Sequence, residues 1–355
     1  MKLLRFPQQV STPQETQKTE DSRELLSLGN TSFKMMLDKA HNIHSLSVDF
    51  PVSKVTNENM RLNDVAGITY VTNDGSIRTP AISKHAMSQL CNKVGIPSDY
   101  MRKCISSGRI ELAQDNLNSW LSDFGKDLLV REYDGRIRGV LSNKYSICDS
   151  HEILEAVGDA VDLSKYTIKG SYLNEERLHI RFIGNEMLPI DGEDLFAGLF
   201  LDSSDVGRNI LTVKFGIYKQ VCTNGLVIAR AGGTLFEQKH IGITAEEFHE
   251  GLVKSLGNID ILTENAVEWV KTAKHKENHW SAVSEYEDDI EEFVNYIRQK
   301  TNLSRESSQK VISLMQTKYE DNRWGLINSI TEVAQDFTLE RRLDLERIAG
   351  GLLVA

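Results

Sequence analysis

No run of apolar residues in this 355-residue chain approaches the roughly 18 needed to cross a bilayer as a helix. The opening stretch MKLLRFPQQVSTPQETQKTE turns polar too soon for a secretory signal. Four cysteines (Cys91, Cys104, Cys148, Cys222) are scattered with no C-x-x-C spacing, so neither a disulfide framework nor a zinc site is indicated. Walker loops, G-x-G-x-x-G, H-E-x-x-H and G-x-S-x-G are all missing, so no mononucleotide, dinucleotide, metalloprotease or hydrolase signature is present. The expectation is a cytoplasmic chain with reduced thiols, no membrane contact, no cofactor, no metal and no catalytic residue.

Acid outweighs base overall, with a net charge of −10. The imbalance is local: residues 1–126 carry +2, residues 127–240 carry −4 and residues 241–355 carry −8. The run EYEDDIEE at 285–292 reads as the solvated start of a helix. Conversely, residues 78–109 hold Arg78, Lys84, Lys93, Arg102, Lys103 and Arg109 against Asp99 alone, a local +5. A total charge of this sign argues against a general nucleic-acid coat, yet backbone binding depends on a local basic surface.

The length exceeds one comfortable core and predicts subdomains. Residues 1–30, rich in Gln, Thr, Ser and Glu, read as a flexible polar leader. Residues 31–126 form a mixed N-terminal region. Within it, ITYVTNDGSIRTPAI predicts a hairpin about Asn73-Asp74-Gly75. Ser83 then caps a helix with Ala86, Leu90 and Val94 inward, Gly95-Ile96-Pro97 breaks it, and Ser98 caps a second helix with Met101 and Ile105 inward. That pair reads either as a helix-turn-helix with basic Arg102 and Lys103 on its second helix or as a plain packing unit. A helix over Glu111–Phe124 follows.

Residues 127–245 read as a β-rich core interrupted by a helix over His151–Val161. Residues 246–355 form a helical C-terminal region. Its apolar stripes are Ile290/Phe293/Val294/Ile297, Val311/Ile312/Leu314/Met315, Trp324/Ile327/Ile330/Val333 and Leu343/Ile348/Leu352. The fold class is therefore α+β, an antiparallel sheet core with hairpins, flanking helices and a helical C-terminal region.

Within the β-rich core, LLVREYDGRIRGVL (128–141) centres on Asp134-Gly135, the strongest short-range signal for a two-residue hairpin. A simple register pairs Tyr133 with Arg136 and Arg131 with Arg138 on one face, leaving Val130 and Ile137 on the other. Opposed arginines repel, which points to an anion, either a nucleic-acid backbone or a side chain such as Glu132 wrapping round, or else to a pair that is simply solvated. Elsewhere, Cys222 with His240 is a conceivable thiol–imidazole pair, but Cys222 also ends an apolar strand and Asn224-Gly225 is an ordinary turn. Asp191, Asp194, Asp202 and Asp205 could hold a divalent ion by count, or simply belong to loops.

Several segments together carry a resemblance: AISKHAMSQLCNKVGIPSDYM, REYDGRIRGVLSNKYSICDSHEIL, LDSSDVGRN, VKFGIYKQVCTNGLVI with QKHIG, and WGLINSITEVAQDFTLERRLDLERIAGGLL. The chain resembles the phage and plasmid proteins grouped as a domain of unknown function, a family distantly similar to single-strand annealing proteins of the Red-beta and RecT kind. The resemblance implies a non-enzymatic recombination protein of a mobile element, in the host cytoplasm, binding single-stranded DNA in a basic groove and forming a homo-oligomer. On that reading Arg131, Arg136, Arg138 and Lys144 meet phosphates, joined by Lys214, Lys219, Arg230 and Lys239, while Tyr133 or Tyr145 stacks a base. The alternative is a protein-interaction module, an inhibitor or decoy of a host factor, working through the acidic C-terminal helices.

Overall fold

A computed structural model describes residues 32–169, 171–190, 192–219, 224–227, 234–239, 242, 244–257, 259–275 and 287–353. The predicted leader lies outside them. The first described helix, α1 (Phe33–Ser45), is capped by Ser32 and leads into β1 (Ser47–Val55). Short strands β2 (Met60–Leu62), β3 (Ile68–Val71), β4 (Ile77–Arg78) and β5 (Ala81–Ile82) precede three helices, α2 (Lys84–Val94), α3 (Ser98–Ser106) and α4 (Ile110–Ser122). The hairpin β6 (Lys126–Tyr133) and β7 (Arg136–Ser142) follows, then α5 (Ser150–Ala160).

The predicted turn at Asn73-Asp74-Gly75 forms between β3 and β4, with Gly75 at φ +85°. Ser83 caps α2 as expected, its Oγ accepting from the Ala86 amide at 3.1 Å. Gly95 ends that helix in the left-handed region. Two details differ. The chain enters α3 through Pro97 rather than a serine cap, and its buried residues are Met101 and Cys104, with Ile105 only half-buried.

Strand β8 (Tyr166–Ile168), β9 (Tyr172–Leu173), β10 (Leu178–Met187), β11 (Leu195–Ser203), β12 (Leu211–Lys219), β13 (Asn224–Val227) and β14 (Thr234–Gln238) make a seven-stranded sheet along β13-β12-β11-β10-β8, with β14 also on β12 and β9 on β10. Among the described residues there are two further sheets, β1-β6-β7-β5 and β2-β3-β4. The hairpin at 128–141 thus belongs to the sheet with β1 and β5 and not to the seven-stranded one. The pairings are antiparallel except β5 on β7.

Three apolar cores result. The N-terminal sheets close over α2, α3 and α4 through Leu90, Met101, Leu117, Val130 and Ile137. One face of the large sheet, carrying Ile180, Phe182, Leu199, Leu201, Leu211 and Val213, packs on α1, α5 and α6 (Ala245–Leu256). Phe215 and Ile217, further along the same face of β12, meet the C-terminal helices α7 (Ile259–His275), α8 (Glu287–Thr301), α9 (Arg305–Thr317), α10 (Arg323–Val333) and α11 (Leu339–Leu353). The C-terminal stripes face this shared core. In α11, however, the fully buried row is Leu345, Ala349 and Leu353 rather than Leu343, Ile348 and Leu352. Leu343 instead lines a cavity.

The opposite face of the large sheet is polar and buried. Asp202 Oδ1 lies 2.9 Å from His179 Nδ1, and Arg181 Nε donates to His179 Nε2 at 3.1 Å, which places the imidazole proton on Nδ1. Arg181 Nη2 then donates to Glu346 of α11 at 2.8 Å. Among the described residues no helix is long and apolar enough to cross a membrane.

Gly325 offers a direct test of helix packing at the start of α10. A Cβ there would run into the Glu320 carbonyl, so Gly325→Ala should lower stability in urea unfolding by ~1–3 kcal/mol, although alanine is the better helix former by ~1 kcal/mol. A stabilised variant would show that the Glu320 turn yields.

Candidate nucleic-acid interface

The β6–β7 hairpin forms with Asp134 (φ 47°) and Gly135 (φ 72°) as its loop, both in the left-handed region that the mirror-image turn requires. Tyr133 pairs with Arg136 as predicted. A register shift then intervenes: Glu132 pairs with Ile137 and Arg131 with Gly139, so Arg131 and Arg138 do not oppose each other. Both faces of the hairpin are covered, Val130 and Ile137 by the N-terminal core and the Arg131 side by α5 and the Asp205 loop, so each guanidinium is 1 % exposed. Gly139 fits the same arrangement, since a Cβ there would press on Val206 at 3.0 Å.

The anion that two inward arginines require is intramolecular. Arg131 grips Asp49 of β1 (2.7 and 2.9 Å) and Asp149, the N-cap of α5 (2.7 and 2.7 Å), and donates to the Asp205 carbonyl at 2.5 Å. Arg138 reaches the Asp205 carboxylate at 3.3 Å and the Glu175 carbonyl at 2.7 Å. Asp205 also accepts from the Ser150 amide and hydroxyl at 3.0 and 2.7 Å. Glu132 wraps elsewhere, onto Tyr70 (2.7 Å) and Arg78 (2.5 and 3.1 Å), with Arg78 lying 4.4 Å over the Phe50 ring.

Burial would raise the carboxyls, but Arg131 holds Asp149 below its ordinary range. Asp205 is pushed up to about 6, first by burial and then by the neighbouring Asp149. Three carboxylates against two guanidiniums explain why one of them keeps its proton longest.

The other residues expected at the interface are dispersed. Lys219 pairs with Glu193 at 2.8 Å beside Trp324 and Tyr319. Tyr145 spends its hydroxyl on the Ser204 carbonyl at 2.9 Å, and half-buried Tyr133 packs into the core under α1. Arg136, Lys144 and Lys239 are exposed, Arg136 lying 3.7 Å from Glu175. Arg230, Cys222 and His240 lie outside the described residues, as does Asp191. Asp202 and Asp205 are committed to separate networks and do not come together as a cation site.

Lys214 lines a cavity of about 530 Å³ with Arg177, Asp202, Thr212, Glu237 and Arg347, among others. Asp344 also borders it, so cations and carboxylates are equal in number and the cavity is no phosphate groove. Asp202 is held down at about 2 there against its burial, chiefly by His179.

A better basic surface stands on α2, α3 and α4. Arg78 and Arg102 are paired with Glu132 and Asp99. Lys84, Lys93, Lys103 and Arg109 have no carboxylate partner among the described residues, and Lys93 is pushed down by burial and by Lys126. Tyr100 is 40 % exposed and Trp120 58 %. The Asn116 amide lies 3.5 Å from the Tyr100 hydroxyl, and Trp120 follows Asn116 by one helical turn, so both aromatics share a side of α4. The +5 charge of residues 78–109 was the sequence signal for this surface; the tertiary pairing tells which cations remain free.

The family model of a domain of unknown function, DUF932, matches residues 138–348. No curated protein and no solved structure matches the chain. The matched stretch runs from β7 into α11 and leaves α2, α3 and α4 outside it.

Two outcomes test the buried network. Arg131→Met should cost ~3–5 kcal/mol in denaturant unfolding, because Asp49 and Asp149 lose a buried partner. Asp205 keeps its proton to higher pH when folded than when unfolded, so its contribution falls as pH rises from about 4 to about 6 and is flat above. Stability measured across that window should therefore decline less in Asp205→Asn than in the parent chain. An unchanged slope would remove Asp205 from the account.

Proposed function

The chain belongs to the DUF932 family, and from the placement of its cations we propose that it binds single-stranded DNA through the α2–α3–α4 surface, as a non-enzymatic annealing protein of a phage or other mobile element. The observation that carries this reading is that Lys84, Lys93, Lys103 and Arg109 have no carboxylate partners among the described residues and that α3 and α4 carry exposed Tyr100 and Trp120. Unpaired cations meet phosphates, and exposed rings stack unpaired bases at ~1–3 kcal/mol each. Exposed aromatics favour a single strand over a duplex, whose bases are already stacked. Exposed Arg136, Lys144 and Lys239 can extend the path, whereas Arg131, Arg138 and Lys219 are withdrawn from it by their ion pairs. Formation of a homo-oligomer would align such surfaces along one strand.

The interaction-module reading is less well supported. The apolar stripes of α8–α11 that would receive a host protein are turned into the chain's own core.

The deciding measurement is fluorescence anisotropy of a labelled single strand of ~30 nucleotides and its duplex, at two salt concentrations. Salt-sensitive preference for the single strand is expected. The combined change Lys93→Glu, Lys103→Glu and Arg109→Glu should flatten the log affinity against log salt slope by about 2, since each lost phosphate contact removes ~0.7. Trp120→Ala should weaken binding about five- to a hundredfold with the slope unchanged. No binding at low salt would overturn the proposal.

A further inference from the structure

Helices α1 and α5 bring together a cluster of histidines. His44 stands in the last turn of α1, and His151 lies in the first turn of α5, two residues after the N-cap Asp149. The two imidazole centroids are 4.0 Å apart with the rings tilted by 35°. His41, one turn back along α1, is 5.5 Å from His151. Its Nε2 is 3.2 Å from Glu155, one turn further along α5. One ligand atom from each of His44, Asp149 and His151 lies within 4.8 Å of the other two. Independently, Nδ1 of His151 is buried and has no hydrogen-bond partner among the described residues. A buried ring nitrogen without a partner forfeits a favourable interaction that the fold otherwise provides almost everywhere.

We propose that His44, His151 and Asp149 form a binding site for a divalent transition-metal ion of the zinc, cobalt and nickel class, clipping α1 to α5. Two imidazoles and a carboxylate suit that class, whereas calcium and magnesium prefer oxygen alone. Tetrahedral bonds of ~2.0–2.2 Å bring ligand atoms to roughly 3.3–3.5 Å of one another. Closure from 4.8 Å is therefore about 1.5 Å, within the rotamer freedom of exposed His44.

Asp149 already accepts from Arg131, but a carboxylate offers about four lone-pair sites. A hydrogen bond from behind is the usual way a ligating carboxylate is oriented. The charge balance favours a cation as well: Asp49, Asp149 and Asp205 exceed Arg131 and Arg138 by one negative charge. No local spacing reveals this site, because residue 44 meets residues 149 and 151 only through helix packing.

The test uses the full chain stripped with chelator, followed by thermal unfolding with Zn2+, Co2+ or Mg2+ added. Zn2+ and Co2+ should raise the Tm by about 2–5 °C when well above Kd, and Mg2+ should not. Co2+ should also give a visible absorption band. His44 is exposed, so His44→Ala should leave the apo Tm near the parent's while removing both the shift and the band; His151→Ala should remove them too. His249→Ala, on α6, should keep both. Absence of a shift and band, or their survival in His44→Ala, would overturn the proposal.

Discussion

Two guanidinium groups buried between three carboxylates hold this fold together. Arg131 and Arg138 come from one hairpin, Asp49 from the neighbouring strand, Asp149 from the start of a helix and Asp205 from the loop between β11 and β12. The N-terminal sheet, α5 and the large sheet therefore meet at one charged point. Moving ions of this size out of water costs several kcal/mol each, and that cost is offset only when every partner is in place. The arrangement acts less as a source of net stability than as a fixed register: a chain with any of these units displaced leaves a charge buried and unpaired.

The large sheet repeats the principle on its other side. Its polar face would be poorly buried against an apolar helix, yet α11 lies across it because Glu346 completes the chain from Asp202 through His179 and Arg181. Arg342 binds the second oxygen of the same carboxylate at 2.9 Å. Similarly, Glu193 gathers Lys219, Lys274 and the Trp324 indole at the edge of the C-terminal core. Such cations are spent inside the molecule. What is left for an external anion is decided by subtraction, and it includes Lys84, Lys93, Lys103 and Arg109 on α2, α3 and the start of α4.

The position of that remainder has a consequence for the family. DUF932 matches the large sheet and the C-terminal helices, whereas Lys84, Lys93, Lys103, Arg109, Tyr100 and Trp120 stand before residue 138. The matched part supplies a scaffold with two covered faces. The N-terminal unit, tied to it through Arg131 on Asp149 and the Asp205 carbonyl, supplies the proposed contact surface.

The sequence by itself determined the α+β class, the hairpins at Asp74-Gly75 and Asp134-Gly135, the Ser83 cap, and most apolar helix stripes, because turn chemistry, capping and periodicity act over a few residues. It also located the demand for an anion beside Arg131 and Arg138. The tertiary structure alone decided which anion answers. The start of α5 and the loop between β11 and β12 cover the face that carries Arg131 and Arg138, and no local rule predicts that cover. Partners 82, 18 and 67 residues away then satisfy them. The local +5 was legible in the same way, but which of its cations stay free depends on carboxylates that only folding brings near, and His44 meets Asp149 and His151 for the same reason.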